Sequence, residues 1–171
     1  HLDKVTDVVP GGETGHISTR NGVYFLKNRL SEDDYVIIHD AARPIVYQDI
    51  IDDLIEKAKA NGNACSAVSC YETVVLTENR TSGKEQIDRN RIVRVQTPQC
   101  YNYGLIKSLY EKADKDNRED FVYANILAMN YGVEIYFSKG TNNNIKITTK
   151  DDIALFRALL YYINNAEGEE N

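Results

Sequence analysis

Residues 35–62 read YVIIHDAARPIVYQDIIDDLIEKAKANG, and this stretch decides the fold. Tyr35-Val36-Ile37-Ile38 is an unbroken apolar run, the pattern of a strand covered on both faces in a parallel sheet. Asp40 to Pro44 is a loop. Ile50, Ile51, Leu54 and Ile55 then recur at helical spacing, and Asn61-Gly62 closes the helix. Strand, loop and helix follow one another with no hairpin between them. Working outward, the alternation repeats. Ala64–Cys70 reads as a strand, and Arg91–Gln96 as another, ended by Thr97-Pro98. Tyr103–Ala113 and 121–131 read as helices, the second closed by Gly132. Val133–Phe137 and Ile145–Thr148 read as strands and Asp151–Ile163 as a last helix. On the N-terminal side, Val5–Val9 is a β-rich run stopped by Pro10-Gly11-Gly12, and a helical spacing covers Ser18–Leu30. The pattern predicts an α/β fold, a mostly parallel sheet with helices on both faces. The segment from about 72 to 91 departs from it. Thr73–Thr77 and Gln86-Ile87 read as the two sides of a hairpin with a polar tip, a projecting β-arm.

The chain has 171 residues, one domain's worth, and residues 1–171 are read as a single domain. Its 20 Lys and Arg against 26 Asp and Glu give a formal charge of −6. A general nucleic-acid-binding surface would need a basic excess, so nucleic acid is not an expected partner. A single phosphate pocket needs only a few local cations and backbone amides. No apolar run approaches the roughly 20 residues of a membrane helix, and no signal-peptide pattern is present. A membrane is therefore not an expected partner, and a cytoplasmic location is the default. Cys65, Cys70 and Cys100 are read as free buried thiols, since no CxxC pair or zinc-ligand spacing exists. The tail 167–170 is acidic and is expected to fray.

Ligands of open α/β sheets bind beyond the carboxyl ends of the strands. Three segments occupy that position. Pro10-Gly11-Gly12-Glu13 joins a strand to a helix, and its glycines allow close backbone approach; a plain tight turn is the alternative. Ser18 can cap that helix or donate to a phosphate. Asp40 and Arg43 stand three residues apart after the apolar strand. Asp40 can bind a metal or a hydroxyl, and Arg43 a phosphate or carboxylate; an internal pair that holds the loop is the alternative. His39 is read as a packed strand-end residue. Lys146, amid short apolar positions, points either toward a phosphate or into solvent. Arg89, Arg91 and Arg94 form a basic cluster, and Thr97 lies in Gln96-Thr97-Pro98-Gln99.

Taken together and in order, these segments resemble the cytidylyltransferases that couple CTP to methylerythritol phosphate or ribitol phosphate. The matching stretches are VVPGGETGHIS at 8–18, VIIHDAARPIV at 36–46, DR at 88–89 with VQTPQ at 95–99, and NIKITTKDD at 144–152. The resemblance implies a Rossmann-like nucleotidyltransferase fold and transfer of CMP from CTP, with methylerythritol phosphate as first acceptor and ribitol phosphate as second. It assigns Gly11, Gly12, Glu13 and Ser18 to the nucleoside. Asp40 and Ala41 would contact nucleotide, acceptor and the metal region. Arg43, Thr97 and Lys146 would line the polyol-phosphate pocket. Thr73 and Arg89 lie on the arm, which would cross into a second copy, so a homodimer with shared sites is implied. Mg²⁺ is the implied cofactor, with Asp40 the one candidate ligand. A non-catalytic nucleotide-binding module and a different base specificity are the competing readings.

Two departures stand out. The Thr-Asp pair that family members carry at the start of one helix is absent from Glu119-Asp120-Phe121-Val122-Tyr123. The first strand and the glycine-rich loop that grips the triphosphate have no counterpart in residues 1–10. A preceding segment is accordingly expected to be missing, and these 171 residues alone are expected to turn over CTP poorly.

Overall fold

The computed structural model describes residues 4–166, so His1 and the acidic tail at 167–170 lie outside the described residues. The stretch that opened the sequence reading gives the expected strand, loop and helix: β1 (Tyr35–Ile38), a loop, then α2 (Gln48–Asn61), which ends where Gly62 turns left-handed at φ 85°. β1 is not covered on both faces, since it is an edge strand with Ile37 43% exposed. Before them lies α1 (Gly15–Phe25), continued by a short 3-10 turn at Leu26–Asn28. After them come β2 (Asn63–Ser69), the arm strands β3 (Val74–Leu76) and β4 (Glu85–Ile87), and β5 (Val93–Asn102). Then follow α3 (Tyr103–Lys115), α4 (Ala124–Asn130), β6 (Phe137–Lys139) and α5 (Lys150–Ala166).

The main sheet has the order β1-β5-β2-β6. β5 runs antiparallel to both β1 and β2, while β2 and β6 are parallel. Three of the four strands therefore point the same way and β5 runs against them. The period of two assigns neighbouring residues to opposite faces. Cys65 and Tyr101 pack into a core with Val23, Ile106, Tyr110, Phe121 and Leu127, which α1, α3 and α4 cover. Their neighbours Ala64 and Cys100 pack on Leu54 and Ala58 of α2. Helices thus lie on both faces, as the α/β pattern requires. Burial lifts the thiols of Cys65 and Cys100 to about 12 and about 11, so both are inert neutral side chains. No helix among the described residues is long and apolar enough to cross a membrane.

Five expectations need correction. Val5–Val9 forms no strand; it has no ladder partner among the described residues, and Val8 is 89% exposed. Ile145–Thr148 joins no strand ladder among the described residues; its one backbone–backbone bond runs from the Ile147 amide to the Ala42 carbonyl at 2.8 Å. The strand predicted at 133–137 begins only at the last of those residues and runs over Phe137–Lys139, and the helix predicted at 121–131 is confined to Ala124–Asn130. Pro98 does not end β5. It falls where the register with β2 slips between Cys65 and Ala67, a bulge at which a missing N–H costs no ladder bond.

Candidate functional site

Three loops at one edge of the sheet converge on Asp40. The first is the β1–α2 loop itself, closed by a turn in which the Arg43 amide donates to the Asp40 carbonyl at 2.9 Å. His39 follows the strand end but is exposed rather than packed, with Nε2 2.8 Å from the Arg43 carbonyl. The second is the bulge in β5, where Thr97 Oγ1 accepts from the Asp40 amide at 3.0 Å. The third is the segment before α5, which brings Lys146 Nζ to 2.9 Å from Asp40 Oδ2. Arg43 Nε lies 3.7 Å from the same oxygen, and its Nη1 donates to the Asn144 carbonyl at 2.7 Å. Asp40, Arg43, Thr97 and Lys146, chosen from three separate stretches, therefore share one centre. Arg43 is largely turned inward and does what the loop-holding reading describes. Asp40 and Lys146 keep partial exposure, enough to meet a ligand. The ion pair with Asp40 holds the Lys146 ammonium above its ordinary value, so it stays charged through the neutral range.

Lys146 is held from both sides in sequence. Downstream, Asp152 Oδ2 accepts from the Thr149 amide at 2.7 Å, and Thr149 Oγ1 accepts from the Asp152 amide at 3.3 Å. This is a reciprocal capping box at the start of α5. The Thr148 amide joins it at 2.9 Å, and these donors pull the Asp152 carboxyl down to about 2. Upstream, Asn144 is fully buried, and its Nδ2 donates to the Thr97 carbonyl at 2.8 Å. Gln96 Nε2 reaches back to the Thr141 carbonyl at 2.9 Å. Gln96 and Asn144 thus bind the lysine segment to β5. The sequence reading missed both. Their signal was polarity at core positions, since a buried amide in an apolar run must have partners.

The diglycine turn folds against the first turn of α1. A Cβ on Gly12 would lie 2.1 Å from Ile17 Cγ2, so only glycine fits. The Gly12 amide donates to Ser18 Oγ at 2.9 Å, and that hydroxyl donates to the Thr14 carbonyl at 2.9 Å. Thr14, not Ser18, caps α1, accepting from the Ile17 amide at 3.2 Å. Gly11, Gly12 and Glu13 stay exposed, as does Ala41 on the other loop. No hydrogen bond or ion pair joins the turn to Asp40 among the described residues. The link runs through Tyr123: a Cβ on Gly15 would sit 3.7 Å from the Val122 carbonyl, and the Tyr123 ring centroid lies 5.3 Å from Lys146 Nζ.

Thr73 and Arg89 do not join the centre within one chain. Both are exposed on the arm, and Arg89 Nη1 donates to the Tyr71 carbonyl at 3.2 Å. Arg89 instead borders a cleft of about 370 Å³ with Cys70, Tyr71 and Val93. No group of three or more His, Cys, Asp or Glu side chains suited to a metal occurs among the described residues. Asp40 Oδ2 is already taken by Lys146 and faces Arg43.

Comparison with known proteins supplies the family. The family model described as IspD, 2-C-methyl-D-erythritol 4-phosphate cytidylyltransferase, matches residues 1–162. The chain is 38% identical over 161 residues to a ribitol-5-phosphate cytidylyltransferase of Lacticaseibacillus paracasei, covering 93% of this chain and 69% of that protein. It is 37% identical over 160 residues to a 2-C-methyl-D-erythritol 4-phosphate cytidylyltransferase of Clostridium novyi, covering 94% and 67%. Among solved structures, the 4-diphosphocytidyl-2C-methyl-D-erythritol synthase of Anaerococcus prevotii superposes with a TM-score of 0.79 at 25% identity, over 94% of this chain and 71% of that one. The cytidylyltransferase of Francisella tularensis gives 0.75 at 31% identity, over 87% and 69%. With a match along nearly the whole sequence and the same fold, the chain belongs to the 2-C-methyl-D-erythritol 4-phosphate cytidylyltransferase family.

Proposed function

We propose that the protein transfers CMP from CTP to a polyol phosphate and releases pyrophosphate, with 2-C-methyl-D-erythritol 4-phosphate as the acceptor. The observation that carries this reading is the convergence of Asp40, Thr97 and Lys146 at one sheet edge. A phosphate oxygen of the acceptor attacks the α-phosphorus of CTP in line. A new phosphorus–oxygen bond forms as the bond to the β-phosphate breaks, and pyrophosphate leaves with its electron pair. Both reactants are anions, so the barrier is lowered by positioning and charge neutralisation rather than by a covalent nucleophile. Lys146 neutralises the acceptor phosphate. Asp40 orients Lys146 and offers its remaining oxygen to a polyol hydroxyl. Thr97 accepts the Asp40 amide and keeps its own O–H for a phosphate oxygen. The Gly11-Gly12-Glu13 turn, with Ser18 bracing it, and Ala41 receive the cytidine.

Mg²⁺ enters this proposal as a cation carried by the nucleotide's own phosphates, since Asp40 Oδ2 already has Lys146 as its partner. A homodimer belongs to it as well. The arm's two-stranded sheet is not paired with the main sheet, and Val75 and Leu76 on it are exposed. Such a hairpin is marginal alone and gains from a partner surface. Thr73 and Arg89 would then complete the acceptor pocket of a second copy.

Ribitol 5-phosphate is the second reading for the acceptor. It is supported by the Lacticaseibacillus paracasei relative and by the absence of the Thr-Asp pair near residues 119–123. Pyrophosphate release by the native gene product, measured with CTP and each polyol phosphate in turn, tests the proposal. Faster release with 2-C-methyl-D-erythritol 4-phosphate is expected. Preference for ribitol 5-phosphate would move the protein to the second reading, and equal rates with UTP or ATP would overturn the cytidine assignment.

A further inference from the structure

Tyr123 is the residue that occupies the region where the sequence departs from its family. The chain is pinned on either side of it. Phe121 is buried against His16 and Tyr131, and Ala124 is buried at the start of α4. Between these anchors the backbone is extended, at φ −140° and ψ 159° for Tyr123, and its side chain is 41% exposed. Its ring faces Lys146 with the ammonium 5.3 Å from the centroid, and its hydroxyl lies 3.4 Å from Lys146 Nζ. The donor–acceptor logic of that pair is asymmetric. An ammonium can only donate, so the phenol oxygen accepts from Lys146. The phenol has one proton left, and among the described residues that proton has no acceptor. Lys146 has three N–H bonds; one goes to Asp40 and one to Tyr123. The third N–H and the Tyr123 O–H are thus two donors a few ångströms apart, beside a carboxylate that accepts. That is a complement to a phosphate with a neighbouring hydroxyl.

We infer that Tyr123 is an acceptor-contacting residue: its hydroxyl donates to a phosphate oxygen of the polyol phosphate bound at Lys146. The inference rests on the proposed cytidylyl transfer for the identity of the ligand, but its geometry is that of the Lys146–Tyr123 pair alone. The position of Tyr123 is also apt. It follows Val122, whose carbonyl lies against the first residue of α1, so the tyrosine stands between the nucleoside turn and the acceptor lysine.

The test is a calorimetric titration of the wild type, Tyr123→Phe and Tyr123→Ala with the preferred polyol phosphate and separately with CTP. Removing one hydrogen bond to a charged oxygen is worth about tenfold in affinity. Tyr123→Phe should weaken polyol phosphate binding by about tenfold while leaving CTP binding and the melting temperature unchanged, and Tyr123→Ala should weaken it at least as much. Wild-type affinity in Tyr123→Phe, with loss only in Tyr123→Ala, would mean that the ring props Lys146 and the hydroxyl contacts nothing; that overturns the inference. Equal losses for CTP and polyol phosphate would overturn it too. A wild type that binds CTP but no polyol phosphate would sink the functional reading itself, a different failure from the hydroxyl proving idle.

Discussion

Asn144→Ala should destabilise the protein by about 2 kcal/mol, although no ligand touches the side chain in this account. The figure follows from what the amide holds. Asn144 is fully buried, and its Nδ2 donates to the Thr97 carbonyl at 2.8 Å and, at the long distance of 3.4 Å, to Gln96 Oε1. Stranding a buried acceptor costs about 1–3 kcal/mol, and the long second bond adds less. Against this, Asn144 Oδ1 is itself buried without a partner, so deleting it returns about 1 kcal/mol. For a chain of this size each kcal/mol moves the melting temperature by about 2–4 °C, so a fall of about 4–8 °C is expected. Thermal melts and urea titrations of the variant measure it. Asn130→Ala is the control: that amide caps one exposed helical carbonyl, at Ile126, and its loss should stay within about 0.5 kcal/mol. An Asn144→Ala protein that melts with the control would refute the claim that this amide ties the lysine segment to β5.

Arg89→Ala should raise the KM for the polyol phosphate and leave the KM for CTP unchanged, because within one chain the guanidinium meets only the Tyr71 carbonyl and stands away from Asp40; steady-state kinetics with each substrate varied will show whether both constants move together, which would mark it as structural. The Asp152 carboxyl is depressed from 3.8 to about 2, so its capping contribution is complete above pH 3.8 and is lost as pH falls through about 2. Asp152→Asn should therefore flatten the acid limb of a stability–pH curve in that window. His16 is buried with both ring nitrogens unpartnered, and burial holds its pKa below the ordinary 6.5, with Arg20 adding to that and Asp114, Glu119 and Asp120 opposing it. Its folded form resists the proton that the unfolded chain accepts, so stability is full above pH 6.5 and declines below it. His16→Leu should remove that decline in urea titrations at pH 7 and pH 5.

The elements that could be read from the sequence were those whose signals are local. The stripe of Ile50 and Leu54 with Gly62 behind it specified α2, and the polar tip between two β-rich runs specified the arm. The elements that misled were those whose state depends on a neighbour. Val5–Val9 has strand residues but no ladder partner among the described residues, and Ile145–Thr148 is held by Asn144, Lys146 and the α5 cap rather than by a sheet. Pro98 looked like a strand end because a proline stops a regular ladder, and only the register slip in β2 makes it tolerable. At the site, Asp40, Thr97 and Lys146 were legible because each stands in one of the stretches that carry the resemblance, VIIHDAARPIV, VQTPQ and NIKITTKDD. Gln96, Asn144 and Tyr123 were not, since their roles exist only once three distant segments have met.

The central claim is that the Asp40–Lys146 pair receives the acceptor phosphate. The most direct measurement is a nuclear magnetic resonance titration of the isotopically labelled chain with the polyol phosphate, read at the backbone amides. The account predicts saturable shifts concentrated at Asp40, Thr97 and Lys146 that disappear in Lys146→Gln. Shifts centred elsewhere, or an unchanged titration in Lys146→Gln, would contradict it.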